Sequence, residues 1–206
     1  DIPTTLCTII EQFDKLDLSE NHFCPCFPSC LMYSQIGSQD DQNCSSCAEE
    51  FERVCSIPET VSIHENDTTD CYNTANLEVL RAMIDSSSSS ISMELDTDSS
   101  GSISAMELGS QSWNAGYLTS LDVNNLSLSG TLPSTISDLD SLFVLNIANN
   151  NLTGKIPLSI CTLVQLNWKA SPTSGFNSYL FNNKFCLPYP ICVVDSLGAQ
   201  DTLDCE

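Results

Sequence analysis

Between residues 118 and 166, apolar and polar positions recur with a fixed period. Leu118, Leu121, Val123, Leu128, Leu132, Ile136 and Leu139 form one apolar series; Leu142, Leu145, Ile147, Leu152, Ile156, Ile160 and Leu163 form a second. Each member of the second lies 24 residues after its counterpart, as Gly154 lies after Gly130 and Pro157 after Pro133. A third copy starts at Leu166. Self-similarity of this length marks a solenoid, in which each coil buries its apolar row against the next. The alternation Leu142, Leu145, Ile147 predicts a short strand with those side chains inward. Gly154 permits a positive φ, and Pro157 pre-sets φ while removing a donor, so this stretch turns the chain to the other face. Asn150 is placed to turn its amide inward onto the backbone of neighbouring coils. A Leu-rich helix does not account for the pattern, because Gly and Pro recur inside each period.

The pattern L-x-x-L-x-L-x-x-N-x-L-x-G-x-I-P resembles the plant-type leucine-rich repeat. The first copy departs from it at Leu126, where the Asn is expected. The third is interrupted by SPTSGFNSY and resumes at Leu180, Asn183 and Phe185. The resemblance implies an α/β solenoid: a short leucine-rich repeat stack over 118–185 with disulfide-rich caps and a small helical segment. FCLPYPIC and VVDSLGAQDTLDC, over 186–206, resemble the cysteine-bearing cap that covers the last apolar face of such stacks.

The first 44 residues match this ending. IPTTLCTI corresponds to IPLSICTL, NHFCPCFPSC to NKFCLPYPIC, and IGSQDDQNC to LGAQDTLDC. Residues 1–44 therefore read as a partial coil and cap duplicating 155–205, and Phe13, Leu16, Leu18, Asn21 and Phe23 fit the strand and turn of a coil. The front of that stack is missing. Either the chain is a processed piece of a longer tandem protein, or another copy of the same molecule supplies the missing coils, or the segment is simply an N-terminal cap built from duplicated material. Equivalent cysteines are expected to pair alike: Cys24–Cys30 and Cys186–Cys192 as local bonds, Cys7–Cys44 and Cys161–Cys205 as clasps. Cys26, Cys47, Cys55 and Cys71 then remain for two more, although connectivity is not deducible from spacing alone.

Residues 45–117 differ from both flanks. SCAEEFERVC reads as a short helix, and NTANLEVLRAMID as a second, capped by Asn73 or Thr74. The segment resembles the cysteine-bearing helical cap of leucine-rich repeat proteins, without its usual Trp. Ser86 to Ser90 reads as a flexible linker. DTDSSGSISAMEL then fits a twelve-residue EF-hand loop: Asp96, Asp98 and Ser100 at alternate positions, Gly101 at the bend, the Ser102 carbonyl, and Glu107 supplying two oxygens to calcium. A second reading of the same residues is an acidic turn leading into a strand, with Ile103, Met106 and Leu108 as L-x-x-L-x-L. Both stand open.

Composition narrows the setting. Twelve cysteines with only two histidines, His22 and His64, point to a disulfide framework rather than zinc. Sequons at Asn66, Asn125 and Asn151, and a weaker one at Asn43, agree with a secreted glycoprotein. A net charge of −21 repels nucleic acid and anionic membranes. No apolar run is long enough to span a bilayer, and the absence of a signal segment fits a mature chain. Neither histidine has a nucleophile motif beside it, and no phosphate-binding Gly loop is present, so an enzyme is not expected.

The resemblance implies interaction rather than catalysis, since receptor ectodomains, wall-associated inhibitors and extracellular matrix proteins share the repeat. Two functions follow. One is a structural protein that associates with itself head to tail into an extracellular fibre or matrix. The other is a binding module holding a protein or glycan ligand on the concave strand face. The residues expected to point out from that face, Asp122, Asn124, Asn146 and Ala148, include no aromatic anchor, which favours the fibre.

Overall fold

The computed structural model describes residues 6, 8–10, 13, 15–24, 31, 33–40, 47–55, 58, 60–63, 70–172 and 175–205. Cys7, Cys26, Cys30, Cys44, Asn43, His64 and Asn66 lie outside them, and so do the expected pairs Cys24–Cys30 and Cys7–Cys44.

In chain order the elements are α1 (Tyr33–Ile36), β1 (Phe51–Arg53), β2 (Val61–Ile63), β3 (Cys71–Asn73), α2 (Thr74–Ser86), β4 (Ser110–Asn114), β5 (Tyr117–Asp122), β6 (Val144–Asn146), β7 (Thr153–Lys155), β8 (Trp168–Lys169), β9 (Ser178–Tyr179) and β10 (Lys184–Cys186), with short 3₁₀ turns between them. Six strands form one mixed sheet in the order β2-β4-β5-β6-β9-β8. All its neighbours are parallel except β4 and β5. This sheet, its few helices and its stacked coils fit a repeat fold.

The periodic leucines form the core. Leu118, Leu121, Val123, Leu128, Leu142, Leu145, Ile147 and Leu180 are all fully buried. Pro133 and Pro157 each open a 3₁₀ turn, Ser134–Asp138 and Leu158–Thr162, that carries Ile136 or Ile160 back into the core. Asn150 holds two coils together. Its Oδ1 accepts the N–H groups of Leu126 (3.1 Å) and Leu128 (3.0 Å), and its Nδ2 donates to the Val123 carbonyl (2.8 Å). The first coil's missing Asn is thus made good by the next coil's. Asn183 repeats the device, donating to Ile147 O (2.9 Å) and accepting from Leu152 N (3.1 Å).

Residues 45–117 depart from expectation in two places. Phe51–Arg53 is a strand, not a helix: it pairs antiparallel with β3, Phe51 packs edge-to-face on Tyr117 at 5.3 Å, and Cys47–Cys71 ties the two segments. Helix α2 forms as the spacing requires, with Asn73 capping it through Asn76 N–H (3.0 Å). Its Arg81 clasps Glu52 of β1. The serine run is no linker. Ser87 is fully buried; its hydroxyl donates to Ser129 O (3.0 Å) and accepts from Ser129 N (3.1 Å), docking the helix end on the first coil. SQSWNAG, on which the pattern makes no prediction, forms a hairpin with the strand that follows. Ala115 (φ 49°) and Gly116 (φ 78°) form a two-residue turn with both φ positive, the geometry that matches strand twist.

The C-terminal cap also pairs differently. Cys161 bonds Cys192 and Cys186 bonds Cys205, with Cα separations of 5.5 and 5.6 Å, in place of Cys186–Cys192 and Cys161–Cys205. The cause is tertiary. Asn183 bridges Gln200, and Asp201 N donates to Asn183 O, so the returning chain brings Cys205 to the end of β10 while Cys192 reaches the second coil's 3₁₀ turn. Nothing in the spacing contains that return.

The N-terminal segment makes the same bonds as the last coil and cap. Asn21 bridges Gln39 as Asn183 bridges Gln200. Gln39 Nε2 donates to Leu18 O and Ile36 O (2.7 and 2.6 Å), and Gln200 Nε2 to Leu180 O and Leu197 O (3.0 and 3.2 Å). Phe23 N bonds Gln39 Oε1, as Phe185 N bonds Gln200 Oε1. Glu20 and Asn182 share a left-handed backbone, φ 58° and 52°. Leu31 and Ile36, with Leu6, Ile10, Leu16, Leu18 and Phe23, make a cluster apart from the main core.

Candidate functional site

The six-stranded sheet presents an outward face across its strands. Register aligns Ser62, Ser112, Ser120 and Val144 across β2, β4, β5 and β6. One position earlier, Phe143 donates its N–H to Thr119 O (2.8 Å), so its ring stands in front of Thr119, 52% exposed. Phe143, Thr119, Ile63, Trp113 and the small polar residues Ser62, Ser112 and Asn114 line a groove of about 320 Å³. Trp113 is its floor, buried and holding Gln111 Oε1 through Nε1 (2.9 Å). Shape, an apolar base and an uncharged rim equip this groove to take an apolar side-chain tip from a partner.

Phe143 is the residue that pattern reading overlooks. It occupies a variable position of the repeat just before β6 and carries no periodic signal; only the register with Thr119 puts it on the face. Of the residues expected there, Asp122 and Asn124 are exposed and Asn146 is partly so, but not the fourth. Ala148 is fully buried. Asn146 donates to Asp122 Oδ2 (3.1 Å), Asn149 to Asn124 Oδ1 (2.7 Å), and Asn182 to Asn149 Oδ1 (2.7 Å). These amides are committed to a surface ladder between coils. A second, more polar groove of about 430 Å³ at the corner includes Asn150, Asn183 and Gln200, whose side chains the ladder already uses.

The acidic loop brings its carboxylates together. Oxygens of Asp96, Asp98 and Glu107 all lie within 4.8 Å of one another. Glu107 is nevertheless occupied by protein donors. Its Oε1 accepts Thr97 N (2.7 Å), Thr97 Oγ1 (2.9 Å) and Asp98 N (3.2 Å), and its Oε2 accepts Ser104 N (2.8 Å). Burial by itself raises this carboxyl; the Ser104, Thr97 and Asp98 donors outweigh it and hold Glu107 below the ordinary glutamate range. Asp96 accepts Ser100 N and Gly101 N, both at 2.9 Å, and the Ser102 carbonyl already takes Ser100 Oγ (2.9 Å). Three donors on one oxygen leave Glu107 poorly fitted to supply two oxygens to a cation. The arrangement suits a turn clasped by its own carboxylates. Neither lead-in applies in full: Ala105–Glu107 is a 3₁₀ turn, and the strand begins at Ser110.

Asn125 and Asn151 are exposed on the turns that follow β5 and β6. In the run Ala148-Asn149-Asn150-Asn151, the first Asn joins the surface ladder and the second the buried one, leaving the third facing solvent. His22 is exposed and sits 3.2 Å from Asp40. Among the described residues no helix is long and apolar enough to cross a membrane, and no cysteine is free.

Residues 117–139 and 141–163 match the family model for the Leucine Rich Repeat. These two stretches are the coils that carry Asn150 and the groove wall at Phe143. Two leucine-rich repeats therefore lie within residues 117–163. No curated protein matches the chain.

Proposed function

We propose that the chain is an extracellular protein-interaction module that reads its partner with the outward face of the six-stranded sheet. The observation that carries this is the groove at Ile63, Trp113, Thr119 and Phe143: an exposed aromatic over an apolar floor, free of charge at its centre. The disulfides Cys47–Cys71, Cys161–Cys192 and Cys186–Cys205 support an oxidising compartment. With net charge −21 around a neutral groove, the fitting partner is a protein with an apolar anchor and basic flanks. Asn125 and Asn151 carry N-linked glycans, both outside the groove lining; treatment with an N-glycosidase should convert each to Asp and shift its peptide mass accordingly.

Phe143→Glu tests the groove. The side chain is half exposed, so the fold tolerates the change. A partner crosslinked from extracellular fluid by the native protein should be lost with this variant and kept with Phe176→Glu, which alters a side chain 89% exposed in the inserted loop. Equal capture by all three proteins would remove the groove from the mechanism.

A second reading is end-to-end association into a plant-type matrix or fibre. It is supported by the bare apolar side chains Leu187, Ile191 and Leu203 on the C-terminal cap (68%, 87% and 91% exposed) and Ile9 and Phe13 near the other end (41% and 49%). Sedimentation over a wide concentration range should show growing species that Ile191→Glu abolishes; a monomer throughout would end this reading.

A further inference from the structure

The N-terminal coil offers a docking surface on the upstream side of residues 15–24, apart from the groove at Phe143. Its internal bonds repeat those of the last coil, yet its burial does not. Leu180 and Phe185 are fully buried; their counterparts Leu18 and Phe23 are half-buried. The difference lies on one side. The last coil is covered upstream by residues 142–154, through Ile147 N to Tyr179 O (3.0 Å), Asn149 N to Phe181 O (3.0 Å), Asn150 N to Asn182 O (3.2 Å), and Lys184 N to Leu152 O (2.8 Å). Asn183 adds its two bonds, to Ile147 O and from Leu152 N.

The equivalent groups in the N-terminal coil are the carbonyls of Asp17, Ser19 and Glu20, the N–H of His22 and the Oδ1 of Asn21. Among the described residues no other coil reaches any of them. Asn21 does donate to Leu18 O (2.9 Å) and Ser19 O (3.1 Å), as Asn183 donates to Leu180 O (3.1 Å) and Phe181 O (3.4 Å). Among the described residues, the half of the ladder facing downstream is complete and the half facing upstream has no partner coil. An edge with main-chain donors and acceptors in coil register and an apolar row behind it is complementary to one thing, the downstream face of a leucine-rich coil.

We propose that the upstream face of residues 15–24 receives a leucine-rich coil with the geometry of residues 142–154, in the register that coil takes against 179–185. The occupant is not this chain's own 142–154, whose downstream face the last coil already covers. The inference does not rest on the groove at Phe143, and its test leaves that groove intact.

A graft decides it. A second copy of residues 45–154 is joined directly before Asp1, which keeps register because Ile2-Pro3 corresponds to Ile156-Pro157. Docking protects the His22 amide from hydrogen exchange on the order of 100-fold over the parent chain, the protection expected of a cooperatively held ladder bond. Asn21→Ala within the graft removes most of that gain. An unchanged His22 amide overturns the proposal. So does a grafted stack that fails to fold, because the same residues fold in the parent when 155–205 covers them and here depend on residues 1–44 for that cover. Protection of His22 in the parent that grows with concentration would put a second copy's capped end on the face, and would also overturn the coil as occupant.

Discussion

Asn150→Ala removes the side chain that joins the first two coils. Five bonds go: two into Oδ1 from Leu126 N and Leu128 N, and three from Nδ2 to Val123 O, Ile147 O and Ala148 O. They are not equal losses. Ile147 O keeps the bond from Asn183, and Ala148 O keeps the one from Asn125 N. Three main-chain groups are left without a partner: Leu126 N, Leu128 N and Val123 O. An unsatisfied buried group costs about 1–3 kcal/mol. Leu128 and Val123 are fully buried, while Leu126 is half-buried and can admit water, so the sum falls near 3–5 kcal/mol. That is a large share of the ~5–15 kcal/mol that holds a domain together. Guanidinium unfolding with disulfides intact should show the midpoint falling at unchanged slope. Asn151→Ala, one residue on and exposed, should stay within about 0.5 kcal/mol of the parent. Exchange of the Leu126 and Leu128 amides should accelerate more than that of Thr153, whose bond to Gly130 O is untouched. A cost below about 1 kcal/mol, or equal costs at 150 and 151, would refute the ladder as the source of coil–coil stability.

Glu107→Gln should destabilise by about 2–3 kcal/mol, since bonds to a buried charged acceptor are lost and an amide N–H is turned toward Ser104 N–H. Because the folded carboxyl lies below the ordinary value, the native protein keeps this contribution above roughly pH 4.5 and loses it as pH falls through the folded pKa. Melting temperatures should therefore converge for the two proteins in acid and diverge at neutral pH. Calorimetry with calcium should give no heat for the native chain; heat that disappears in Asp98→Ala would assign the ion to the loop after all. Gly116→Ala should cost about 2–4 kcal/mol by thermal unfolding, as a Cβ there meets Cys71 O at 2.5 Å and Phe51 at 2.7 Å with φ at +78°. Gly101→Ala, also left-handed but with no atom within 4 Å, should cost only about 1–2 kcal/mol. Non-reducing peptide mapping should recover Cys161–Cys192 and Cys186–Cys205; recovery of Cys186–Cys192 would overturn the observed cap.

Much of the architecture was legible in the chain itself. Leucines at fixed intervals, broken by Gly and Pro inside each period, admit few structures besides stacked coils, because no other arrangement buries every periodic side chain at once. Asn150 and Asn183 were readable for the same reason: a polar residue at a constant place in an apolar frame must satisfy its bonds within that frame. Helix α2 announced itself by its spacing and by Asn73. What was not legible depends on what lies opposite. Phe51–Arg53 is amphipathic as a helix and becomes a strand because β3 stands beside it. Ser87 looks like linker until Ser129 meets it. Glu107 has the spacing of a calcium ligand, and only the folded loop shows three donors already on one oxygen. Phe143 has no pattern at all, and its place on the groove comes from register with Thr119. Cystine pairing was settled by the path of the cap, where Gln200 returning beside Asn183 brought Cys205 to Cys186. Periodic burial is a one-dimensional constraint that a sequence can display. Partner choice across strands, loops and cysteines is a three-dimensional one, and it exists only once the coils have stacked.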